Sequence, residues 1–243
     1  MKLTVRQVGS AGLLFYASAI TAPEGTYAQE VNPATGQETI EVSSPQASLG
    51  TEITLSYGVT LTTNYISKGL TQTDDGPAVQ PYLELGYGIG YVGLWASNAS
   101  FDDVEDIELD VSVGIRPEFG DMSFDLGFVQ YFYRDDPEDY GELYLFGEYA
   151  PSEEWSAKFQ YYREVYADKD WLYLGASYSG LPWDWTLSGG VGSDFGSGDF
   201  SESSIAADIG VTGQISENAS YDFRVHDSSI EGSRFIASIS FFN

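Results

Sequence analysis

Residues 107–115, IELDVSVGI, alternate strictly between apolar side chains and polar or small ones. Successive side chains of a β-strand point to opposite faces of the sheet, so this alternation predicts a strand with one apolar and one polar face. The polar face carries charge, with Glu108 and Asp110 inside the stretch and Arg116 directly after it. The fold therefore depends on whether the apolar face meets a protein core or lipid.

The same period of two recurs from residue 51 onwards, in segments of about ten residues. We expect about twelve strands, near residues 53–62, 79–87, 91–100, 107–116, 122–133, 141–149, 155–164, 170–179, 185–194, 203–213, 219–228 and 233–242. Short connections such as GIG and ISEN alternate with longer ones such as LTQTDDGPA and RDDPEDY. This arrangement predicts an all-β protein with a single antiparallel transmembrane β-barrel, built as an up-and-down meander.

Strand length and aromatic placement favour lipid as the solvent of the apolar face. Strands near ten residues suit a tilted crossing of the hydrocarbon, whereas soluble strands average about five or six residues. Aromatic residues that fall near strand ends are typical of the two girdles of such barrels. They are Tyr57, Tyr87, Tyr91, Trp95, Phe132, Tyr149, Trp155, Tyr178, Trp185, Phe195, Tyr221, Phe235 and Phe241. The alternative is a soluble secreted β protein whose apolar face packs inward.

The composition narrows the set of partners. The 243 residues include 37 acidic and 10 basic ones, a net charge of -27, and no cysteine. Nucleic acid is excluded as a partner because its binding needs a basic surface. We expect contacts with outer-membrane lipid, small solutes or cations, and the barrel-assembly machinery.

The N-terminal region differs from the rest of the chain. Lys2 and Arg6 precede an apolar stretch and a small-residue cleavage pattern, which predicts a signal peptide over residues 1–28. Residues 29–50 lack periodicity and are predicted to form a flexible leader, with the barrel domain over 51–243. The expected location is the bacterial outer membrane.

Four stretches resemble the TorF family of proteobacterial outer-membrane barrels, which are assigned as porins by analogy. They are NYISKGLTQTDDGPAVQPYLELGY (64–87), GYVGLWASNASFDD (90–103), IELDVSVGI (107–115) and FVQYFYRDDPEDYGELYLFGEYA (128–150). The resemblance extends over about residues 51–243, and the segment from TQT to the Gly-Pro pair is its most specific part. It implies a porin-like barrel and brings no catalytic residues and no defined substrate.

The alternation predicts which charged residues line a lumen. They are Glu84, Glu108, Asp110, Arg116, Asp125, Glu142, Glu148, Lys158, Asp208, Asp222 and Arg224. An excess of carboxylates on a pore wall favours cations, whereas a wall of locally paired charges is the alternative. Twelve strands enclose less space than the 16 to 18 of wide porins. We therefore expect passive diffusion of small hydrophilic solutes or ions through a narrow, cation-favouring channel.

The first long loop, SKGLTQTDDGPA, is predicted to bend into the mouth and narrow the pore. Its candidate residues are Lys68, Gln72, Asp74 and Asp75, with Lys68 paired to a carboxylate. The alternative is a local turn in which the Asp side chains cap backbone amides.

The sequence shows no catalytic constellation. His226 and Ser228 have the spacing seen in the outer-membrane phospholipase, yet the alternation places them on the lumen side, away from lipid. No oriented base or oxyanion site accompanies them. The acidic loops FDDVED and RDDPED lack the spacing of a calcium loop. We expect no enzyme, cofactor or metal; the second hypothesis is a non-conducting structural or adhesive barrel with acidic ligand-binding loops.

Overall fold

The computed structural model describes residues 53–101, 104–134, 140–166, 169–195 and 204–243. It also gives the backbone of three short N-terminal strands, Thr4–Val5, Tyr27–Asn32 and Gln37–Val42. The signal peptide and leader predicted over residues 1–50 otherwise lie outside the described residues, as do most of the RDDPED loop and part of the FDDVED loop. Those assignments stay predictions.

Twelve strands form the barrel and are numbered in chain order. They are β1 (Ile53–Thr62), β2 (Ala78–Tyr87), β3 (Gly90–Phe101), β4 (Val104–Ile115), β5 (Met122–Tyr133), β6 (Tyr140–Tyr149), β7 (Trp155–Glu164), β8 (Asp170–Tyr178), β9 (Thr186–Phe195), β10 (Ile205–Ser216), β11 (Ala219–Ser228) and β12 (Gly232–Phe242). The predicted bounds differ by at most three residues at any end. The largest differences are at the start of β4, where the β3–β4 ladder continues to Phe101 opposite Val104, and at the end of β10.

Smaller elements lie in the connections. Ile66–Ser67 and Leu70–Thr71 pair as a miniature hairpin in the first loop, and Glu118–Phe119 adds two residues to the edge of β5. One 3-10 turn spans Pro182–Asp184. No helix in the described part of the chain is long and apolar enough to span a membrane.

Every barrel strand pairs antiparallel with its neighbours in sequence, and the sheet closes on itself. β12 returns to β1, with Ile239 opposite Leu61 and Phe241 opposite Val59, while the other edge of β1 pairs with β2. Closure satisfies the strand edges, which hydrocarbon would otherwise leave unpaired. The predicted all-β, twelve-stranded up-and-down barrel is confirmed.

The two faces of the wall differ as the alternation predicts. Leu85 and Val113 on the outer face are 50% and 54% exposed, whereas Gln80 and Asp110 on the inner face are both 0% exposed. Apolar side chains therefore form the outside of the barrel, and polar side chains fill much of its inside. That is the reverse of a soluble barrel, whose interior would be apolar.

The girdle prediction is wrong for Tyr91 and Trp95. These side chains are only 5% and 1% exposed and lie inside the barrel, whereas Trp155 and Phe235 point outward as expected. The reason is that the face of a strand residue depends on its parity, and nearness to the strand end says nothing about parity. In β3 the outward parity is that of Val92 and Leu94, and Tyr91 and Trp95 have the opposite parity.

Aromatic side chains pack together within one side of the interior. The buried cluster comprises Val129, Tyr131, Tyr144, Phe146, Tyr162, Trp171, Tyr173 and Ala206, from β5 to β8 and β10. These rings occupy volume that would otherwise be water, so the lumen is narrower than strand number alone implies.

Candidate functional site in the barrel interior

The first loop, residues 63–77 and called L1 below, folds inward across the barrel mouth. Lys68 and Gly69 adopt positive φ angles of 50° and 82°, which turn the chain sharply at its tip. Lys68 forms an ion pair with Glu142 of β6, and its ammonium lies 4.8 Å from the centre of the Tyr162 ring of β7. Because L1 starts between β1 and β2, these contacts reach the opposite side of the barrel.

L1 also contacts β10 and β11, which lie beyond β12 on one side of its origin. The Gly69 backbone lies against Ala206 of β10 and Ser228 of β11, so closely that a side chain there would collide with Ala206. The backbone N–H of Thr71 donates a hydrogen bond to the Glu231 carboxylate at 2.9 Å. L1 is therefore held at both sides of the mouth.

Hydrogen bonds within L1 fix its base. The side chain of Asn64 donates to Asp75 at 2.8 Å and accepts from the Thr71 and Thr73 hydroxyls at 2.7 and 3.0 Å. Asp75 also binds the Arg234 guanidinium of β12. The hydrogen bond from Arg234 holds the pKa of the Asp75 carboxyl below its usual range.

The four predicted constriction residues occupy different places. Lys68 lies at the tip of L1 against Glu142, and Gln72 lines the cavity described below. Asp74 and Asp75 are exposed; Asp74 accepts a hydrogen bond from Ser100 at 2.8 Å, and Asp75 binds Arg234. The tip of L1 turns inward, and Asp74 and Asp75 bind the side chains of Ser100, Asn64 and Arg234 instead of the backbone amides that the turn hypothesis assigned to them.

A cavity of about 480 Å³ lies between L1 and the wall formed by β4 to β7. Its lining is acidic and aromatic. The residues are Tyr65, Ser67, Lys68, Gln72, Asp106, Glu108, Tyr131, Tyr133, Tyr140, Gly141, Glu142 and Glu164. Burial, together with the nearby charges of Glu108 and Asp110, raises the pKa of the Tyr65 phenol well above its usual value. Tyr65 therefore remains a hydrogen-bond donor.

Three carboxylates on β4, called the acidic row below, line one strip of the inner wall. Asp106, Glu108 and Asp110 occupy alternate positions and are all at least nine-tenths buried. Tyr65 and Tyr133 hydrogen-bond to the Glu108 carboxylate, while its Oε2 has no hydrogen-bond partner in the described part of the chain. Asp106 accepts the backbone N–H of Arg134 at 3.1 Å. The Arg134 guanidinium lies 3.9 Å from Asp106, whereas Glu108 and Asp110 have no ion-pair partner among the described residues.

A second group of charges, called the Arg116 cluster, lies toward the short-turn end of the barrel. Both terminal nitrogens of Arg116 bind the Glu84 carboxylate, at 2.7 and 2.8 Å, and its Nε binds Asp125 at 2.9 Å. The guanidinium lies 3.6 Å from the centre of the Tyr91 ring, and the Tyr91 hydroxyl donates to Asp125 at 2.8 Å and contacts the Tyr144 hydroxyl. All three charges in this cluster are therefore paired.

Arg224 organises a third group on β9 to β11. It binds Asp208, lies 3.5 Å from Asp222 and donates to the Ser188 hydroxyl at 2.7 Å. The guanidinium crosses the backbone of Gly210, where a Cβ atom would lie 2.7 Å from Arg224 Cζ. Glycine at this position therefore makes room for the arginine.

The remaining predicted lumen residues are on the same inner face. Glu148 of β6 and Lys158 of β7 are buried and occupy directly opposite positions in the β6–β7 ladder. The side chain of Lys158 lies 5.7 Å from the centre of the Tyr173 ring. All eleven predicted lumen residues thus have buried or nearly buried side chains inside the barrel.

Residues 46–230 match the model of a family described as a bacterial protein of unknown function, Gcw_chp. The chain belongs to the Gcw_chp family. No curated protein sequence matches it.

This Gcw_chp barrel is similar in structure to solved porins. The KdgM porin shares 14% identity over 76% of this chain and 98% of that chain, with a TM-score of 0.58. The KdgM porin in complex with disordered oligogalacturonate shares 14% identity over 77% of this chain and 97% of that chain, with a TM-score of 0.56. The NanC porin shares 9% identity over 77% of this chain and 98% of that chain, with a TM-score of 0.53. At these identities the likeness establishes a shared fold.

Sequence reasoning missed the tyrosines of this Gcw_chp cavity, among them Tyr65, Tyr131 and Tyr133. A signal was present for two of them, because Tyr131 and Tyr133 have the same parity on β5 as Asp125. Tyr65 lies in L1, where no periodicity applies. Within the described residues, no group of three or more His, Asp or Glu side chains is arranged to hold a metal ion.

Proposed function

We propose that this protein is a narrow outer-membrane channel through which small hydrophilic solutes or ions diffuse passively. The observation that supports this function is a closed barrel whose outer face is apolar and whose inner face carries charged and polar side chains. Such a wall places lipid outside and water inside. In this function the protein uses no cofactor and carries out no covalent chemistry.

The cellular setting follows from the same distribution of side chains. An outer-membrane barrel is exported, contacts lipid through its apolar rows and is inserted by the barrel-assembly machinery. The resemblance of the segment around TQT in L1 to the TorF family fits this assignment.

The proposed channel favours cations. Eight inward carboxylates face three inward bases among the predicted lumen residues, and two of those bases, Arg116 and Arg224, are each shared between two carboxylates. A low-dielectric wall with uncompensated negative charge raises the local concentration of cations and repels anions.

L1 is the proposed constriction. Its tip crosses the mouth to Glu142, and the aromatic cluster fills part of the lumen beneath it. A solute entering from the loop end would pass through the cavity between L1 and the acidic row. This route makes the proposed pore slim and its entrance negatively charged.

Planar-bilayer recording tests the proposal. The purified, refolded protein is expected to give discrete conductance steps in symmetric KCl and a cation-sided reversal potential in a KCl gradient. An anion-sided potential would reject the cation preference alone. A folded barrel that never conducts would reject the channel and favour a structural or adhesive barrel, for which the filling of the lumen by L1 and aromatic rings is the supporting observation.

A further inference from the structure

We propose that the cavity between L1 and the acidic row binds a small organic cation, a solute with a primary or secondary ammonium group. The inference deepens the proposed channel function and rests on it for its physiological meaning. The site itself is defined by residues of L1, β4, β5 and β6.

The charge of the cavity selects for a cation. Four carboxylates line it, from Asp106, Glu108, Glu142 and Glu164. Among the described residues, Lys68 is the one base in the lining, where it is paired with Glu142, and Arg134 lies 3.9 Å from Asp106 outside the lining. An anionic solute would meet net repulsion here, and a neutral solute would leave the excess charge without compensation.

Glu108 supplies a second, independent indication of a ligand. Its side chain lines the cavity, is only 2% exposed, and one carboxylate oxygen, Oε2, accepts no hydrogen bond within the described residues. Buried polar atoms are nearly always hydrogen-bonded, and a carboxylate oxygen is an acceptor only. The missing partner is therefore a donor, and a charged N–H donor would also compensate the charge.

The tyrosines make the site suitable for an organic cation. Tyr65, Tyr131, Tyr133 and Tyr140 contribute aromatic surface to the lining. Ring faces attract ammonium groups, and they also pack against the hydrocarbon stem of an amine.

The protein already contains one example of this binding mode. The ammonium of Lys68 is held between the Glu142 carboxylate and the Tyr162 ring, 4.8 Å from its centre. Glu108, with Tyr65 and Tyr133 beside it, offers the same combination of carboxylate and rings without a lysine. A free ammonium solute would take the equivalent place.

A direct binding measurement tests this assignment. Isothermal titration calorimetry on the detergent-solubilised full barrel would use 1,4-diaminobutane as the probe. The controls are 1,4-butanediol, which has the same stem without charge, and Mg²⁺, which has the same charge without a stem. We expect binding of the diamine, with neither control binding comparably.

Two matched variants locate the site. Glu108→Gln removes the unpaired charge, and we expect it to weaken diamine binding about tenfold, the size of one charge-assisted hydrogen bond. Glu148→Gln changes an inward carboxylate at the other end of the barrel and is expected to alter binding less than about twofold on the same scale. Heat-modifiable migration on a gel checks that both variants fold.

The outcomes separate this inference from the channel function. If the diamine binds, Glu108→Gln weakens it and no current is ever seen, the site stands and the channel proposal fails. If the protein conducts ions but does not bind the diamine, the proposed binding site is rejected and the channel proposal is kept. Equal binding of Mg²⁺ or of the diol, or an unchanged affinity in Glu108→Gln, also overturns it.

Discussion

The Arg116 cluster and the acidic row lie on the same half of the barrel wall, yet the fold treats their carboxylates in opposite ways. Glu84 and Asp125 share the guanidinium of Arg116, which is stacked on Tyr91. Glu108 and Asp110 are equally buried, but no arginine or lysine among the described residues forms an ion pair with either of them.

The difference teaches where this barrel concentrates uncompensated charge. At the short-turn end, arginine neutralises the wall and the paired groups support structure. At the loop end, Glu108 and Asp110 are buried without an arginine or lysine partner among the described residues, at a cost in stability that a purely structural role would not explain. This contrast is the reason why we propose a solute site at the loop end.

Removing the Arg116 guanidinium should have the largest effect of these changes on the stability of the barrel. Arg116→Met leaves Glu84 and Asp125 buried without a partner, and we expect a loss of about 3 kcal/mol in the free energy of unfolding. Urea unfolding in lipid vesicles measures it. Adding Glu84→Gln and Asp125→Asn to the same variant should recover much of the loss; no recovery would show that the arginine acts by packing.

The acidic row should respond in the opposite direction. Glu108→Gln combined with Asp110→Asn removes two buried carboxyl groups that lack a basic partner among the described residues, so we expect unfolding to become harder by about 1 kcal/mol. The reversal potential in a KCl gradient should shift toward zero at the same time. A destabilised double variant would mean that the two carboxylates are paired after all.

Release of L1 should have a moderate effect on stability. Lys68→Met removes the ion pair with Glu142, which is partly exposed, and we expect a loss of about 0.5 kcal/mol. The single-channel conductance should rise because the tip of L1 is no longer attached across the mouth. Ser67→Ala, at the adjacent position, is the control; equal conductance in all three proteins would argue against a constriction.

The Asp75–Arg234 pair should give the smallest effect, and it should depend on pH. Because the pKa of Asp75 is lowered in the folded protein, its contribution is present above the usual carboxyl pKa and is lost as pH falls through the lowered value. We expect well under 1 kcal/mol, because Asp75 is 59% exposed and water screens the pair. Unfolding of the wild type and Asp75→Asn between pH 7 and pH 2 measures it; an identical pH dependence would remove the role.

Much of the wall could be predicted from the sequence. The alternation in residues 107–115 assigned Glu108 and Asp110 to the face opposite Val113, and the same parity placed Glu84 and Asp125 inside. It failed for Tyr91 and Trp95 because strand-end position was used there instead of parity.

What the sequence by itself determined is the strand count and the two faces, because the side-chain period of two is a local property of the chain. Only the tertiary structure decided that Arg116 meets both Glu84 and Asp125, that Lys68 reaches Glu142, and that Glu108 pairs with no base in the described part of the chain. These contacts depend on register, on barrel closure and on the path of L1. They join residues far apart in sequence, and no local pattern encodes such distances.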